Sequence, residues 1–201
     1  MASEANSTIF SPDGRLLQVE YALKASAQGS NITFTINDNK VTLAREIKNL
    51  SPMIEPEDFL HPISENKYLV FSGLVPDFYV LKKAAVIIST NYKKRTSEEI
   101  STRELVAELS DFVQYGTLSG KRPYGVQILV IGIEEIPLCF IIESDGNFIE
   151  YFAGSIGRKK EDVISYMEKG EISPNSAYKA IFDVVQNDTK KIEAVEMFLG
   201  G

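Results

Sequence analysis

The strongest constraint on the fold is an almost continuously apolar segment, Val126 to Ile133, in the second half of the chain. A strand of this composition is expected to be covered on both faces, because a half-exposed strand alternates apolar with polar residues. Leu138 to Ile142 repeats the apolar pattern, and Phe148 to Phe152 alternates. The chain therefore predicts three consecutive strands, the first of them buried between two layers.

Two helices are predicted before these strands. The apolar residues of the first helix fall at helical spacing: Phe78, Leu81, Ala85 and Ile88. Ser101 and Glu104 form a capping box that starts the second helix. Its buried stripe is predicted at Leu105, Leu109 and Phe112.

The rest of the chain completes the order of elements. The first third predicts a helix over about 17–28, a hairpin over 32–43, an irregular segment over 47–62 and a strand over 68–71. Two more helices are expected after Gly157, and a last strand over 194–199. Runs of strands alternate with pairs of helices, which predicts an α+β fold with helices layered on packed antiparallel sheets. No repeat or linker divides the chain, so we expect one domain.

Composition excludes several classes of function. A net charge of −7 disfavours a nucleic-acid partner, since such proteins usually carry a basic stripe against the phosphates. No segment reaches the roughly 18–20 apolar residues that a membrane span requires. The single cysteine, Cys139, lies in an apolar run and is expected to be a small core residue. The first residues show no secretory signal, so we expect a location in the cytoplasm and nucleus.

Few residues are suited to catalysis. His61 is the only histidine, which excludes a histidine-rich metal site, and its position beside a proline predicts an ordinary loop residue. The acidic pair Glu134–Glu135 is expected to be solvated in a turn rather than to act as general acid and base. The sequence contains neither G-x-G-x-x-G nor G-x-x-x-x-G-K-[ST]. We therefore expect no catalytic residue, no metal and no cofactor.

Three blocks of sequence resemble the α-type subunits of the 20S proteasome. The longest covers residues 8–22 and reads TIFSPDGRLLQVEYA; the others are FSGLVPD at 71–77 and RPYGV at 122–126, with a weaker SIG at 155–157. Three segments, the proline-bearing region 57–62, the turn at 76–78 and residues 114–122, look most like the second of the seven eukaryotic α types. The resemblance implies a four-layer αββα sandwich of the N-terminal-nucleophile (Ntn) hydrolase type. Residues 1–9 would form a gate tail and residues 10–201 a single domain.

By the same resemblance the chain is not an enzyme but a non-catalytic subunit of a threonine-protease complex. Proteolytic relatives expose an amino-terminal threonine whose own α-amine acts as the base. Here Ser30 lies near the equivalent position, behind a complete predicted helix. Gly116–Thr117, the only Gly-Thr pair, is predicted at the end of a helix. A catalytically competent Ntn-type threonine or serine hydrolase of the same fold is the alternative, and a stand-alone binding module is a third hypothesis.

The resemblance implies a structural and gating role in the outer α ring, in ubiquitin-dependent and other proteasomal protein degradation. The expected partners are the other α subunits of a heteroheptameric ring, the β subunits, a regulatory cap or activator, and unfolded protein substrates in transit. Gate residues are assigned by resemblance to Pro12 and Tyr21 and to a tail at Ser3, Glu4 and Ala5. The family has Tyr-Asp-Arg at the place of this tail, and its tyrosine and arginine bind neighbouring tails. Because this chain lacks both side chains, we expect its tail to close the pore poorly.

The resemblance also implies a pocket between adjacent α subunits in which activator C-termini dock. Gly29 and Leu74 match its positions, whereas Phe59 aligns with its lysine. We expect a weak or unused docking site, because the lost charge-assisted contact would cost about 1.5–3 kcal/mol. Lys67 or Lys48 is expected to substitute only if the loop is rearranged.

Overall fold

The computed structural model describes residues 9–47, 53, 57–170, 173, 175–184 and 192–198. The helices in these ranges are α1 (Leu17–Ser26), α2 (Val75–Thr96), α3 (Thr102–Leu118), α4 (Lys160–Glu168) and α5 (Ser176–Val184). The strands are β1 (Ile32–Asn37), β2 (Lys40–Glu46), β3 (His61–Ser64), β4 (Lys67–Gly73), β5 (Val126–Ile133), β6 (Pro137–Ile142), β7 (Phe148–Glu150), β8 (Ala153–Ile156) and β9 (Ile192–Phe198).

The strands form two antiparallel sheets that pack face to face. The first sheet has the order β8-β1-β2-β9 and the second has the order β3-β4-β5-β6-β7. The β1–β2 hairpin turns at Asp38–Asn39, and Asp38 takes the left-handed φ of 50° that a tight hairpin turn requires. Apolar side chains from both sheets form the core between them, among them Phe34, Leu43, Leu129, Ile131 and Cys139.

Helices cover the outer face of each sheet. α2 and α3 pack on the second sheet, where Phe78, Leu81, Leu105 and Leu109 are fully buried. α4 and α5 pack on the first sheet. The resulting layers are helix, sheet, sheet and helix, which confirms the four-layer αββα fold. Within the described residues, no helix is at once long and apolar enough to cross a bilayer.

Three local predictions are wrong. Phe112 is 38% exposed, because the buried stripe of α3 continues from Leu109 to Val113 while Phe112 stacks on Tyr124 at its margin. The irregular segment ends earlier than expected, since β3 begins at His61 and pairs with β4. The strand predicted over 148–152 already ends at Glu150 as β7, in the second sheet, and a further strand that was not predicted, β8, follows over 153–156 and pairs with β1 in the first sheet.

Candidate functional site

The longest sequence block folds into a turn followed by α1. The backbone nitrogen of Gly14 donates to the Ser11 carbonyl oxygen (2.9 Å), and that of Arg15 donates to the Ser11 hydroxyl oxygen (3.1 Å). Gly14 has a φ of 74°, in the left-handed region that favours glycine. Arg15 Nε then donates to Glu20 Oε1 (2.8 Å) in the first turn of the helix. These contacts fix the residue at which α1 starts.

Helix α1 lies against the ends of β4 and β5. Its residues Val19 and Ala22 are buried, and the Ser144 hydroxyl donates to the Ala22 carbonyl oxygen (3.4 Å). The opposite face presents Tyr21 to solvent, with Lys24 Nζ 6.0 Å from its ring centroid. α1 is therefore packed as an integral element of the domain.

The chain after α1 passes β4 at a distance that only glycine permits. A Cβ at Gly29 would lie 2.1 Å from the Ser72 hydroxyl oxygen and 2.2 Å from the Gly73 backbone nitrogen. The Ser72 hydroxyl also donates to the Ser30 carbonyl oxygen (3.0 Å). This close approach seats the end of α1 on β4.

An ion pair joins the second and third sequence blocks beside this contact. Arg122 Nη2 and Nη1 donate to the two carboxylate oxygens of Asp77 at 2.7 and 2.8 Å. The Gly125 backbone nitrogen donates to Asp77 as well (2.8 Å), and the Leu74 nitrogen donates to the Gly125 carbonyl oxygen (2.9 Å). Burial raises the pKa of Asp77, but the hydrogen bonds from Arg122 and Gly125 and the charge of Arg122 outweigh it and hold the pKa below its ordinary value.

Sequence reasoning identified both blocks but missed this pair. The signal that could have revealed the pair is the charge of the two blocks. Asp77 is the one charged residue of block 71–77, and Arg122 is the one charged residue of block 122–126. The pair ties the start of α2 to the segment that enters β5, so it holds the surroundings of Gly29 and Leu74 in place.

The chain runs without interruption from α1 into β1. Ser30 lies between α1 and β1, so its nitrogen is a peptide amide. The neighbouring Asn31 is buried; its side-chain oxygen accepts from the Lys159 backbone nitrogen (2.7 Å), and its side-chain nitrogen donates to the Glu46 carboxylate. A hydroxyl nucleophile requires an adjacent base, which an amide cannot provide. This arrangement suits support of the sheet rather than nucleophilic chemistry.

The predicted gate residues are only partly described. Pro12 lies in the turn before α1 and Tyr21 on α1, and both are exposed. Ser3, Glu4 and Ala5 lie outside the described residues. The gate assignment of all five stays a prediction.

Two of the three predicted docking residues lie close together. Gly29 contacts the end of β4, and Leu74 directly follows that strand. Phe59, by contrast, is 6% exposed and packs in the core between the sheets, with the Arg45 guanidinium 4.7 Å from its ring centroid. The docking role of these residues stays a prediction.

Lys67 is not free to replace the missing lysine. It is 1% exposed, and its Nζ lies 3.3 Å from Glu134 Oε1. It also stands at the opposite end of β4 from Gly73, about 20 Å away at the usual rise of a strand. Glu134 accepts from the Thr102 backbone nitrogen (2.7 Å), so it holds the start of α3 and is not the solvated turn residue that we expected. Lys48 lies outside the described residues.

His61 belongs to β3 and is buried, so its prediction as an ordinary loop residue is wrong. Its ring lies 4.6 Å from the Phe78 ring and 5.8 Å from the Phe71 ring, measured between centroids. Burial, and secondarily the charge of Lys82, lowers the pKa of His61 to about 4. No group of three or more histidine, cysteine, aspartate or glutamate side chains is placed to hold a metal ion in the described part of the chain.

Comparisons with known proteins agree with this geometry. A family model described as the proteasome subunit matches residues 29–196, and a second model, which describes the N-terminal signature of the A-type proteasome subunits, matches residues 4–25. A probable alpha type-2 proteasome subunit of Neurospora crassa is 35% identical over 167 residues, which are 81% of this chain and 67% of that protein. The alpha type-2 proteasome subunit of Dictyostelium discoideum is 36% identical over 166 residues, 81% of this chain and 71% of that protein. The alpha proteasome subunit of Archaeoglobus fulgidus is 34% identical over 165 residues, 81% of this chain and 67% of that protein. The chain therefore belongs to the proteasome subunit family, and its N-terminal signature makes it an α-type member.

Proposed function

We propose that this chain is a non-catalytic structural and gating subunit of the outer α ring of the 20S proteasome. It builds part of the substrate entry pore and of the activator docking surface, and so takes part in ubiquitin-dependent and other proteasomal protein degradation. Its partners are the other α subunits of a heteroheptameric ring, the β subunits, a regulatory cap or activator, and unfolded proteins in transit. We propose the cytoplasm and nucleus as its location, which imaging of a fluorescent fusion tests.

The position of α1 carries this proposal. An Ntn-type hydrolase must free the amine of the residue that starts its first strand. Cleavage before Ser30 would remove α1 together with its buried residues Val19 and Ala22. Cleavage within Gly116–Thr117 would fall inside α3. These positions favour the non-catalytic role over the alternative, a catalytically competent Ntn-type threonine or serine hydrolase.

Exposed apolar residues on the outer helices support assembly into a ring. α2 exposes Val75, Tyr79, Val80, Val86 and Ile87, and α3 exposes Phe112, Tyr115 and Leu118. Val75, Tyr79 and Val86 share one face of α2 by their helical spacing, and an exposed apolar face of this kind is typical of an interface with another protein. They favour a ring subunit over a stand-alone binding module.

Native mass spectrometry of the chain, purified with a C-terminal tag from the cells that produce it, tests the assembly. We expect it in one complex with other proteasome α and β subunits. A folded chain found only as a monomer contradicts the proposal, and would favour the binding module.

We further propose that the docking pocket of this subunit is weak or unused. Phe59 aligns with the lysine of the pocket. The guanidinium of Arg45 lies against the Phe59 ring, but it already donates hydrogen bonds to two other groups. Arg45 Nε donates to Glu193 Oε2 and its Nη2 donates to the Glu57 carbonyl oxygen, both at 2.7 Å. An incoming terminal carboxylate must therefore compete with Glu193 for this guanidinium.

Hydrogen exchange of residues 57–60 tests the pocket, with and without a peptide that carries an activator's C-terminus. We expect no added protection in this segment. Strong protection of Phe59 and its neighbours on peptide binding contradicts the proposal.

We propose that the tail at Ser3, Glu4 and Ala5 closes the pore poorly. It replaces the Tyr-Asp-Arg of the family and so lacks the tyrosine and the arginine that bind neighbouring tails. Deletion of these three residues is expected to leave peptide entry into the assembled complex unchanged, as measured by hydrolysis of a fluorogenic peptide. A clear rise in hydrolysis after the deletion shows instead that the tail closes the pore.

A further inference from the structure

Strand β8 is the last strand at one side of the first sheet. One of its edges pairs with β1, and the other has no strand beside it in the described part of the chain. Ile36 and Phe152 continue the register of this pair, and the Ile36 nitrogen donates to the Phe152 carbonyl oxygen (2.7 Å). In an antiparallel pair, alternate residues bond to the neighbouring strand. The backbone N–H and C=O groups of Ala153 and Ser155 therefore point away from β1.

The free edge of β8 faces a groove. A cavity of about 270 Å³ lies between this edge, helix α4 and strand β6, and its lining includes Ala153, Gly154 and Ser155. The described residues form no backbone hydrogen bond to this edge. Ser155 is 2% exposed whereas Ala153 is half-buried, so the edge is accessible at Ala153. Unpaired N–H and C=O groups on a strand edge can pair with an extended segment of another chain.

The two faces of the strand differ at this accessible end. Side chains alternate across a strand, and residues that stand opposite each other share a face. Ala153 packs against a cluster that contains Met167, so a residue opposite Ala153 would point towards α4. A Cβ at Gly154 would lie 3.7 Å from Ile141 in the core, so a residue opposite Gly154 would point between the sheets.

The charges of the groove favour a basic side chain on the α4 side. Two carboxylates, Glu143 and Glu168, and one ammonium, Lys160, line the cavity, which leaves a net charge of −1. Glu143 is already paired, since it accepts from Lys160 Nζ (3.2 Å) and from the Gln127 side chain. Glu168 is exposed, and among the described residues it has no ion pair or hydrogen bond. It directly follows Met167 on α4, so its carboxylate is the group placed to pair with a cation beside Ala153.

We propose that the free edge of β8 binds an extended segment of another protein in which an apolar residue directly precedes a lysine or an arginine. The basic residue pairs with both backbone groups of Ala153, and its side chain reaches Glu168. The apolar residue stands opposite Gly154 and places its side chain beside Ile141. The order of the two residues follows from antiparallel pairing, the pattern of the whole sheet, because the position before the basic residue then lies opposite Gly154.

The probe for this site is the tetrapeptide Thr-Leu-Lys-Thr with blocked ends. It is added to the full chain in the form purified from its cells, after any proteolytic activity has been inhibited. Hydrogen–deuterium exchange of residues 151–156 measures binding, because the unpaired N–H of Ala153 becomes protected when a peptide pairs with it. We expect protection of this segment that saturates as the peptide concentration rises.

Three altered peptides separate the backbone, charge and apolar contributions. Methylation of the lysine backbone nitrogen removes the N–H that donates to the Ala153 carbonyl oxygen, and is expected to weaken binding about tenfold. Thr-Leu-Glu-Thr brings a second carboxylate beside Glu168 and is expected to bind several-fold more weakly. Thr-Ser-Lys-Thr lacks the apolar group and is expected to bind about tenfold more weakly.

A pair of variants tests the carboxylate on the protein. Glu168→Gln removes the charge without changing the shape of the side chain, and is expected to lower the affinity for Thr-Leu-Lys-Thr about threefold, because the pair is exposed. The matched control is Glu161→Gln, which changes an exposed carboxylate of the same helix outside the cavity lining. This control is expected to leave the affinity unchanged.

Three results overturn the proposal. One is the absence of protection in residues 151–156 at the highest soluble peptide concentration. Another is equal binding of the N-methylated and the parent peptide, which would mean that the strand edge makes no backbone pair. The third is an equal effect of Glu168→Gln and Glu161→Gln on the affinity.

Discussion

Replacing Asp77 by alanine removes the acceptor that joins the start of α2 to the segment before β5. Asp77 is buried and accepts two hydrogen bonds from Arg122 and one from the Gly125 backbone nitrogen. The variant therefore breaks an ion pair and also leaves a buried N–H group without an acceptor.

The two losses differ in size. An unpaired buried N–H group costs about 1–3 kcal/mol. The ion pair itself contributes no more than about 1 kcal/mol, because the Arg122 side chain is 59% exposed and water screens its charge. We therefore expect Asp77→Ala to lower the free energy of unfolding by about 3 kcal/mol and Tm by about 6–12 °C for a domain of this size.

Thermal unfolding followed by circular dichroism measures this effect, with Arg103→Ala as the matched control. Arg103 makes the same two-bond pair with Glu150, but both partners are exposed, so its loss is expected to cost less than about 1 kcal/mol. Equal losses in the two variants would refute the reasoning, because they would mean that the Gly125 nitrogen contributes nothing.

The same ion pair has a predicted pH dependence. The folded-state pKa of Asp77 lies below its ordinary value of 3.8. Its ionised form therefore contributes stability that is fully present above that pH and is lost as the pH falls through the folded-state pKa. The difference in stability between the wild type and Asp77→Ala is expected to shrink over that acid range.

Three further predictions concern single buried groups. Cys139 is buried and its thiol pKa is raised by burial, so a thiol reagent is expected to react only after unfolding; rapid labelling of the native chain would contradict this. The pKa of His61 is about 4 in the folded chain, below its ordinary value of 6.5. As the pH falls, the unfolded chain therefore binds this proton before the folded chain does. The free energy of unfolding is expected to decrease as the pH drops from about 6.5 to about 4. The NMR resonances of this only histidine should titrate near pH 4, and a midpoint near 6.5 would show that the ring is solvated. Glu134→Ala leaves the Lys67 ammonium buried without its carboxylate and is expected to cost about 2–3 kcal/mol; Lys67→Met in the double variant is expected to restore the part due to the ammonium but not the part due to the lost hydrogen bonds from Thr102, and a denaturant titration that shows no restoration refutes the pairing.

Local signals account for the parts of the fold that the sequence predicts correctly. The apolar run of β5, the alternation and turn of the β1–β2 hairpin, and the Ser101–Glu104 capping box each lie within a few residues of one another. The capping box forms with both of its hydrogen bonds, from the Glu104 backbone nitrogen to Ser101 and from the Ser101 nitrogen to Glu104. Such features depend little on the rest of the chain, so sequence alone identifies them.

The missed features depend on residues distant in sequence. β8 is a short strand of mostly small residues, and only its pairing with β1 makes it part of a sheet. The burial of His61 depends on aromatic side chains from β4 and α2. The Asp77–Arg122 pair joins residues 45 positions apart, so neither block reveals it alone.

The proposed function requires that α1 stays in the mature chain and that the nitrogen at the start of β1 remains an amide. Top-down mass spectrometry of the subunit released from its native assembly tests this directly, because it reads the first residue of the mature polypeptide. We expect a first residue upstream of Leu17. A mature chain that begins at Ser30, or at any other newly exposed serine, threonine or cysteine, would contradict it.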